Sequence, residues 1–279
     1  MKYQTRSRIA NGLDRAGLLR PAERVRQEWH ALRERGGPDA DENGLPLPPP
    51  RLRLLVDSRS ADAARFIDTG RQMAVSIAIA AAEAGDPLNE MDAILDFGGG
   101  CGRVARHWAG LEGPQVHLCD YNPLLVSWSS ENLPFVASDT NELEPPTPYE
   151  AGKFDLVYAF SVLSHLSEPL QGAWISEFHR ILKPGGLLVF SVLGHSAYDR
   201  MDSGAKERFD RGELVVERTG TAGRNLCTAY HPRSYVTGEL LAEFSDVEPF
   251  SFGAWDAALV QDAYIARRPA GHPASAPSA

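Results

Sequence analysis

The run Asp96-Phe97-Gly98-Gly99-Gly100-Cys101-Gly102 follows directly on the apolar stretch Ala93-Ile94-Leu95, so a buried strand empties into a glycine turn that opens the next helix. Glycine lets the chain turn sharply and lets its backbone approach a ligand, while a carboxylate at Asp96 can accept a hydrogen bond from a cationic or amine group. This is the pattern of a cradle for a nucleotide-type cofactor. Its spacing is D-x-G-x-G-x-G. The third glycine of the dinucleotide fingerprint G-x-G-x-x-G is missing, because Arg103 stands where it would fall, and that argues against NAD.

Four more apolar segments follow in order. Val116-His117-Leu118-Cys119-Asp120 reads as a second strand ending in a carboxylate 18 residues beyond Gly102, and Pro134 to Ser138 as a third, ending at Asp139. Phe154 to Phe160 reads as a fourth strand flowing into Ser161-Val162-Leu163-Ser164-His165-Leu166. A helix from about Pro169 to Leu182 stops at Lys183-Pro184-Gly185-Gly186, and Leu187 to Leu193 is a fully apolar strand of the kind buried on both faces of a parallel sheet.

In these motifs, over roughly Asp92 to Arg268, the chain resembles the class I S-adenosylmethionine-dependent methyltransferases. The resemblance implies an α/β, Rossmann-like seven-stranded sheet, mostly parallel with an antiparallel last strand, and an N-terminal helical extension. It implies S-adenosyl-L-methionine as cofactor, cradled by Asp96, Gly98, Gly99, Gly100 and Gly102. Asp120 would take the ribose hydroxyls, with Tyr121 beside it; an ionised carboxylate is acceptor-only and can receive both protons of a vicinal diol. Asp139 and Thr140 would face the adenine amine, and Phe160 and Ser161 would complete the cofactor site. Cys101 and Cys119 read as small buried fillers.

Acceptor specificity in this family lies after the fifth strand, where the chain supplies His195, Tyr198, Asp199, Arg200, Tyr230 and His231. Gly194-His195-Ser196 follows that strand at once, at the carboxyl edge where open α/β sheets bind ligands. His195 is therefore the first candidate for a general base and His231 the second. His165 recurs in the family across unrelated acceptors, which assigns it to the substrate pocket as a loop-ordering residue. A helix from Ser234 to Phe244 and a closing hairpin, Ser245 to Phe252 and Ala258 to Ala266 joined through Gly253-Ala254-Trp255-Asp256, complete the expected domain.

The punctuation divides the chain into a basic arm with a Pro-rich linker (1–50), a leader helix that covers the active site (51–90), the methyltransferase domain (91–268) and a disordered tail (269–279). The leader, with a long helix from about Ser60 to Ala84, resembles that of a bacterial subgroup linked to glycan or natural-product tailoring. Phe66, Gly70 and Arg71 would border the pocket, and Phe66 reads equally as helix packing.

Composition narrows the partners. The chain of 279 residues carries a net charge of −9. Residues 1–36 hold nine Lys/Arg against four Asp/Glu, so the remainder is strongly acidic, which disfavours a phosphate backbone as substrate. Val25, Trp29 and Leu32 recur at helical spacing in the basic arm, a stripe suited to docking on the same or a neighbouring subunit and so to a homo-oligomer built through the arm. Three cysteines without a C-x-x-C pair indicate neither structural metal nor a disulfide scaffold, and no segment is apolar and long enough to span a membrane. The expectation is a cytoplasmic enzyme acting on a small molecule or sugar, an O-methyltransferase by preference, with N-methylation or a catalytically silent binding fold as alternatives.

Overall fold

The computed structural model describes residues 38–58, 60–223, 226–250 and 261–270, with isolated positions 21, 25 and 29. Seven strands form one sheet: β1 (Ala93–Phe97), β2 (Gln115–Asp120), β3 (Val136–Thr140), β4 (Phe154–Ala159), β5 (Leu182–Val192), β8 (Ser245–Phe250) and β9 (Asp262–Arg267), in the order β3-β2-β1-β4-β5-β9-β8. The first five pair in parallel, and β9 runs antiparallel to both β5 and β8. β6 (Val215–Glu217) and β7 (Thr228–Tyr230) make a separate antiparallel pair. The expected fold class is the one observed.

Strand β1 is buried along its whole length, and its alternation assigns each face a helix. Leu95 and Phe97 pack with Trp174 and Phe178 of a helix at Glu168–Ile181, whereas Ile94 packs with Met73 and Ile77 of the long leader helix Ala63–Glu83. From residue 38 on, the α-helices among the described residues are, in chain order, α1 (Pro50–Val56), α2 (Ala63–Glu83), α3 (Pro123–Asn132), α4 (Glu168–Ile181), α5 (Ser203–Asp210) and the single turn α6 (Arg233–Tyr235). Asp62 caps α2 by accepting from the Arg65 amide at 2.6 Å.

Three local expectations are corrected. The glycine turn does not open an α-helix: positive φ at Gly102 (+70°) and Gly110 (+84°) brackets a stretch that closes as turns and a 3-10 turn at Ala105–Trp108. Lys183-Pro184-Gly185-Gly186 belongs to β5, whose register against β4 shifts at this point. The helix expected from Ser234 is α6 continued by a π turn over Val236–Leu240.

The Pro-rich segment before α1 folds back onto the domain. Arg106, fully buried, donates to Asp41 at 2.9 Å and to the carbonyls of Leu45 and Pro46, and Leu47 is buried with Phe66 and Cys101. Among the described residues, no helix is long and apolar enough to cross a membrane. Most of the arm, the Gly253 turn and the end of the tail lie outside the described residues, though Val25 and Trp29 are exposed.

Candidate functional site

The strand order reverses between β1 and β4, so the crevice outside their carboxyl ends is where this topology binds ligands. Gly98 and Gly99 donate their amides to the Cys119 carbonyl at 2.8 and 3.2 Å, which ties the glycine turn to the end of β2. The Gly100 amide donates to Asp120 Oδ2 at 3.0 Å, and Asn122 donates to the other oxygen of that carboxylate at 2.8 Å. Ser129 of α3 closes the arrangement by donating to the Gly100 carbonyl at 3.1 Å. Gly100 sits at φ +60°, and a Cβ there would approach Val56 of α1 to 2.8 Å. Only glycine suits that position.

Two carboxyls stand behind this turn. Burial pushes Asp120 up to about 6 against the opposing pull of the Asn122 and Gly100 amides. Burial pushes Asp96 up to about 7, with the Tyr158 hydroxyl, the Ala105 amide and Arg103 favouring its ionised form. Asp96 Oδ2 has no hydrogen-bond partner among the described residues. Asp139 and Thr140 end β3 opposite Cys119 and Asp120. Tyr121 is exposed beside Asp120, and the turn carrying Gly223 leans over it: a Cβ on Gly223 would lie 3.7 Å from the Tyr121 ring and 2.5 Å from Leu143.

At the end of β4, Phe160 is buried and Ser161 adopts φ +59°, a strained conformation for serine. Ser191 Oγ accepts from the Ser161 amide at 3.0 Å, and Gln261 holds both hydroxyls, donating to Ser161 Oγ at 2.7 Å and accepting from Ser191 at 2.5 Å. The sequence reading missed Ser191 and Gln261, 30 and 100 residues from Ser161, because nothing local signals their pairing.

The acceptor-side candidates separate. His195 is exposed; its amide donates to Asp262 at 2.8 Å and its ring stacks on Tyr198 at 5.5 Å, with Phe209 at 6.5 Å. Tyr198 in turn donates to Asp210 at 2.8 Å. His231 is fully buried, paired through Nε2 with Gln171 Oε1 at 2.8 Å, and burial lowers it to about 3. It is neutral at any working pH. Tyr230 beside it is buried too. His165 Nδ1 meets the Cys227 carbonyl at 2.8 Å, and its own carbonyl accepts from the Gly223 amide at 2.8 Å, so it ties the turn after β6 to the end of β4.

Phe66 is buried against Leu47, Cys101 and Leu125, with the Arg106 guanidinium 5.8 Å from its ring centre. It packs beneath the glycine turn. Arg71 forms a surface ion pair with Glu42 at 2.7 Å, while Gly70 lets α2 touch the Arg103 carbonyl, where a Cβ would come within 2.0 Å.

A family model described as a methyltransferase domain matches residues 67–232, which include the glycine turn, both buried carboxyls and the ends of β3, β4 and β5. The chain belongs to the methyltransferase domain family. It is 28% identical over 118 residues to the malonyl-[acyl-carrier protein] O-methyltransferase of Marinomonas sp., covering 40% of this chain and 42% of that one. It is 32% identical over 112 residues to the ubiquinone/menaquinone biosynthesis C-methyltransferase UbiE of Neisseria meningitidis, covering 37% and 43%. The chain thus spans less than half the length of these relatives. Among solved structures, a Burkholderia thailandensis 1,6-didemethyltoxoflavin-N1-methyltransferase aligns with a TM-score of 0.51 at 18% identity, covering 78% of this chain and 84% of that one. A Mesorhizobium loti S-adenosylmethionine-dependent methyltransferase also gives 0.51 at 18%, covering 68% and 96%. These likenesses show the fold.

S-adenosylmethionine, the donor used by this class of methyltransferase, presents a ribose diol, an adenine amine and a cationic amino group. The chain offers a glycine cradle that a Cβ would fill, two buried carboxyls and one buried carboxyl oxygen without a partner among the described residues. The residues present fit that group.

Proposed function

We propose that this methyltransferase uses S-adenosylmethionine to methylate a small-molecule or sugar hydroxyl. The observation that carries the reading is the Gly100–Asp120 contact, which joins a glycine cradle and a diol-binding carboxylate in one buried corner. In this reading Gly98 to Gly102 line the donor, Asp120 and Tyr121 take the ribose, Asp139 and Thr140 the adenine edge, and Phe160 and Ser161 the reacting end.

The sulfonium of the donor supplies an activated methyl group and a good leaving group. What falls to the chain is to hold the acceptor in line with it in a dry site, a proximity and orientation effect. The Tyr121–Gly223 contact and the Ser161–Gln261 network are the elements that shape that space. His195, open to solvent at the carboxyl edge of β5, is the base that would take the proton from an acceptor hydroxyl; Tyr198 holds its ring. His231 is the weaker candidate because its buried imidazole resists protonation. N-methylation is the second reading, favoured by the distance in burial between the two histidines, since an amine needs no strong base. A role in glycan or natural-product tailoring and self-association through the exposed Val25 and Trp29 belong to the same proposal.

Calorimetry with S-adenosylmethionine, S-adenosylhomocysteine, NAD and ATP tests the reading. Binding of the first two alone is expected, and absence of heat with both, in folded protein, overturns it.

A further inference from the structure

Asp96 and Tyr158 are directly paired across β1 and β4, so their side chains rise from the same face of the sheet. That face also carries Trp108, and all three are buried. The Trp108 indole N–H donates to Tyr158 Oη at 2.8 Å. A phenol has one proton and two acceptor pairs. With an acceptor pair engaged by the indole, the Tyr158 proton is left for another acceptor, and the Asp96 carboxyl, whose ionised form the hydroxyl favours, rises beside it from the paired position of β1.

The carboxyl itself lies directly under the glycine turn: a Cβ on Gly99 would come within 2.7 Å of Asp96 Cγ. Asp96 is 4% exposed, and its Oδ2 has no donor among the described residues. A buried carboxylate oxygen without a partner is strongly unfavourable, so the arrangement calls for a cation or a donor arriving at the turn. Neither Trp108 nor Tyr158 belongs to the glycine motif, and neither reaches Oδ2.

We propose that Tyr158, braced by Trp108, is a positioning residue that turns the Asp96 carboxylate so that Oδ2 receives the cationic amino group at the amino-acid end of S-adenosylmethionine. This rests on the methyltransferase reading and adds to it the device that keeps the carboxylate ready. Other groups that bear on Asp96 are Arg103, which favours its charge, Asp120, which opposes it, and the Cys119 thiol on β2, whose burial holds it neutral. Loss of the Tyr158 proton therefore makes the Asp96 charge harder to keep, and cation binding moves to higher pH.

The test has two readouts on the parent, Y158F, W108F and D96N proteins. The first is the carboxyl titration of Asp96 in ligand-free protein by 13C NMR, identified by its loss in D96N. The second is S-adenosylhomocysteine affinity by calorimetry from about pH 5.5 to 8.5, a range that spans the carboxylate titrations. Y158F is expected to raise both midpoints by roughly half to one pH unit while affinity at the alkaline end stays within about threefold of the parent. W108F shifts them in the same direction by less, and D96N removes the Asp96 step, leaving the lower one that Asp120 contributes, at about tenfold weaker affinity. A merely structural role for Tyr158 lowers affinity evenly at every pH. Unmoved midpoints in folded Y158F overturn the proposal, and if Y158F does not fold, unmoved midpoints in W108F do so. A parent that binds no S-adenosylhomocysteine at any pH instead brings down the methyltransferase reading itself.

Discussion

Val56, the last residue of α1, stands against Gly100: a Cβ added to the glycine would lie 2.8 Å from Val56 Cγ2 and 3.9 Å from Asp120 Oδ2. The leader, the glycine turn and the carboxylate that ends β2 therefore share one contact. A segment more than 40 residues upstream of the motif forms part of the wall around it.

Gly100→Val follows from that contact. The side chain has nowhere to go except into Val56 or the ligand space, and a β-branched residue at φ +60° adds about 1–2 kcal/mol of backbone strain. S-adenosylhomocysteine binding should be lost and the melting temperature should fall by several degrees, with far-ultraviolet circular dichroism retained. Calorimetry on the folded variant is the check; parent-like affinity would mean that the cradle lies elsewhere.

Asp120→Asn should weaken the cofactor about ten- to hundredfold, the worth of one charge-assisted hydrogen bond. The same carboxylate accepts from the Gly100 and Asn122 amides, and an amide side chain can keep only one of those two bonds in its original sense. Some of the loss will thus appear as a lower melting temperature of the ligand-free protein. Unchanged affinity moves the ribose contact to another residue.

The pH dependence of stability has a definite sign. Asp96 and Asp120 are raised by burial to about 7 and about 6, so the folded chain holds their protons more tightly than the unfolded chain does. Where the unfolded state binds fewer protons, stability falls as pH rises. Their contribution is full below about pH 4, the ordinary carboxylate range, and is lost as pH climbs towards 7. Asp155 and Glu177, lowered by hydrogen bonds from Lys183 and from Arg180 and Thr147 against the opposing effect of burial, act in the other direction at acid pH. Comparing variants isolates the Asp96 part: urea unfolding at pH 5 and pH 7.5 should show a smaller loss for Asp96→Asn than for the parent, by on the order of 1–4 kcal/mol. An equal loss in both would show that Asp96 titrates normally.

Much of this was legible beforehand where the signal is local. Strands β1, β2, β4 and β5 announce themselves as mainly apolar runs because both faces of the sheet are covered there, whereas β3 is a partly exposed edge strand, and the D-x-G-x-G-x-G turn and Asp120 carry the cradle in their spacing. What escaped reading are contacts made across long separations. Arg106 looks like one arginine among many until it is seen holding Asp41 and the Leu45 and Pro46 carbonyls, and Tyr158 looks like a strand filler until Asp96 is found beside it. The helix after the turn failed as an expectation because periodicity does not report the two positive-φ glycines that bound it.

The Arg106–Asp41 pair is the anchor of the leader, with side-chain exposures of 0% and 3%. Removing one partner of a buried pair leaves the other charge without compensation and costs about 3–5 kcal/mol. Asp41→Ala should lower the melting temperature sharply and open the 39–50 segment to limited proteolysis. The double variant D41L/R106M, which replaces both charges by apolar groups, should recover much of the loss. If the single and double variants melt alike, the pair does not hold the segment.

His195→Ala addresses the chemistry. His195 is exposed at the end of β5, held by its amide to Asp262 and by its ring to Tyr198, whereas His231 is sealed against Gln171 with a lowered proton affinity. A proton acceptor must be reachable by the acceptor hydroxyl, and His195 is exposed where His231 is buried with its proton affinity lowered. With a hydroxyl acceptor in hand, His195→Ala should reduce kcat about 10²- to 10⁴-fold, with S-adenosylhomocysteine affinity within about twofold of the parent. His231→Ala should instead act through stability, because it empties a buried site and strips Gln171 Oε1 of its His231 contact, and its kcat per folded molecule should stay within a few-fold. A His195→Ala enzyme that turns over at the parental rate removes this residue from the chemistry and favours an amine acceptor, whose methylation rests on positioning alone.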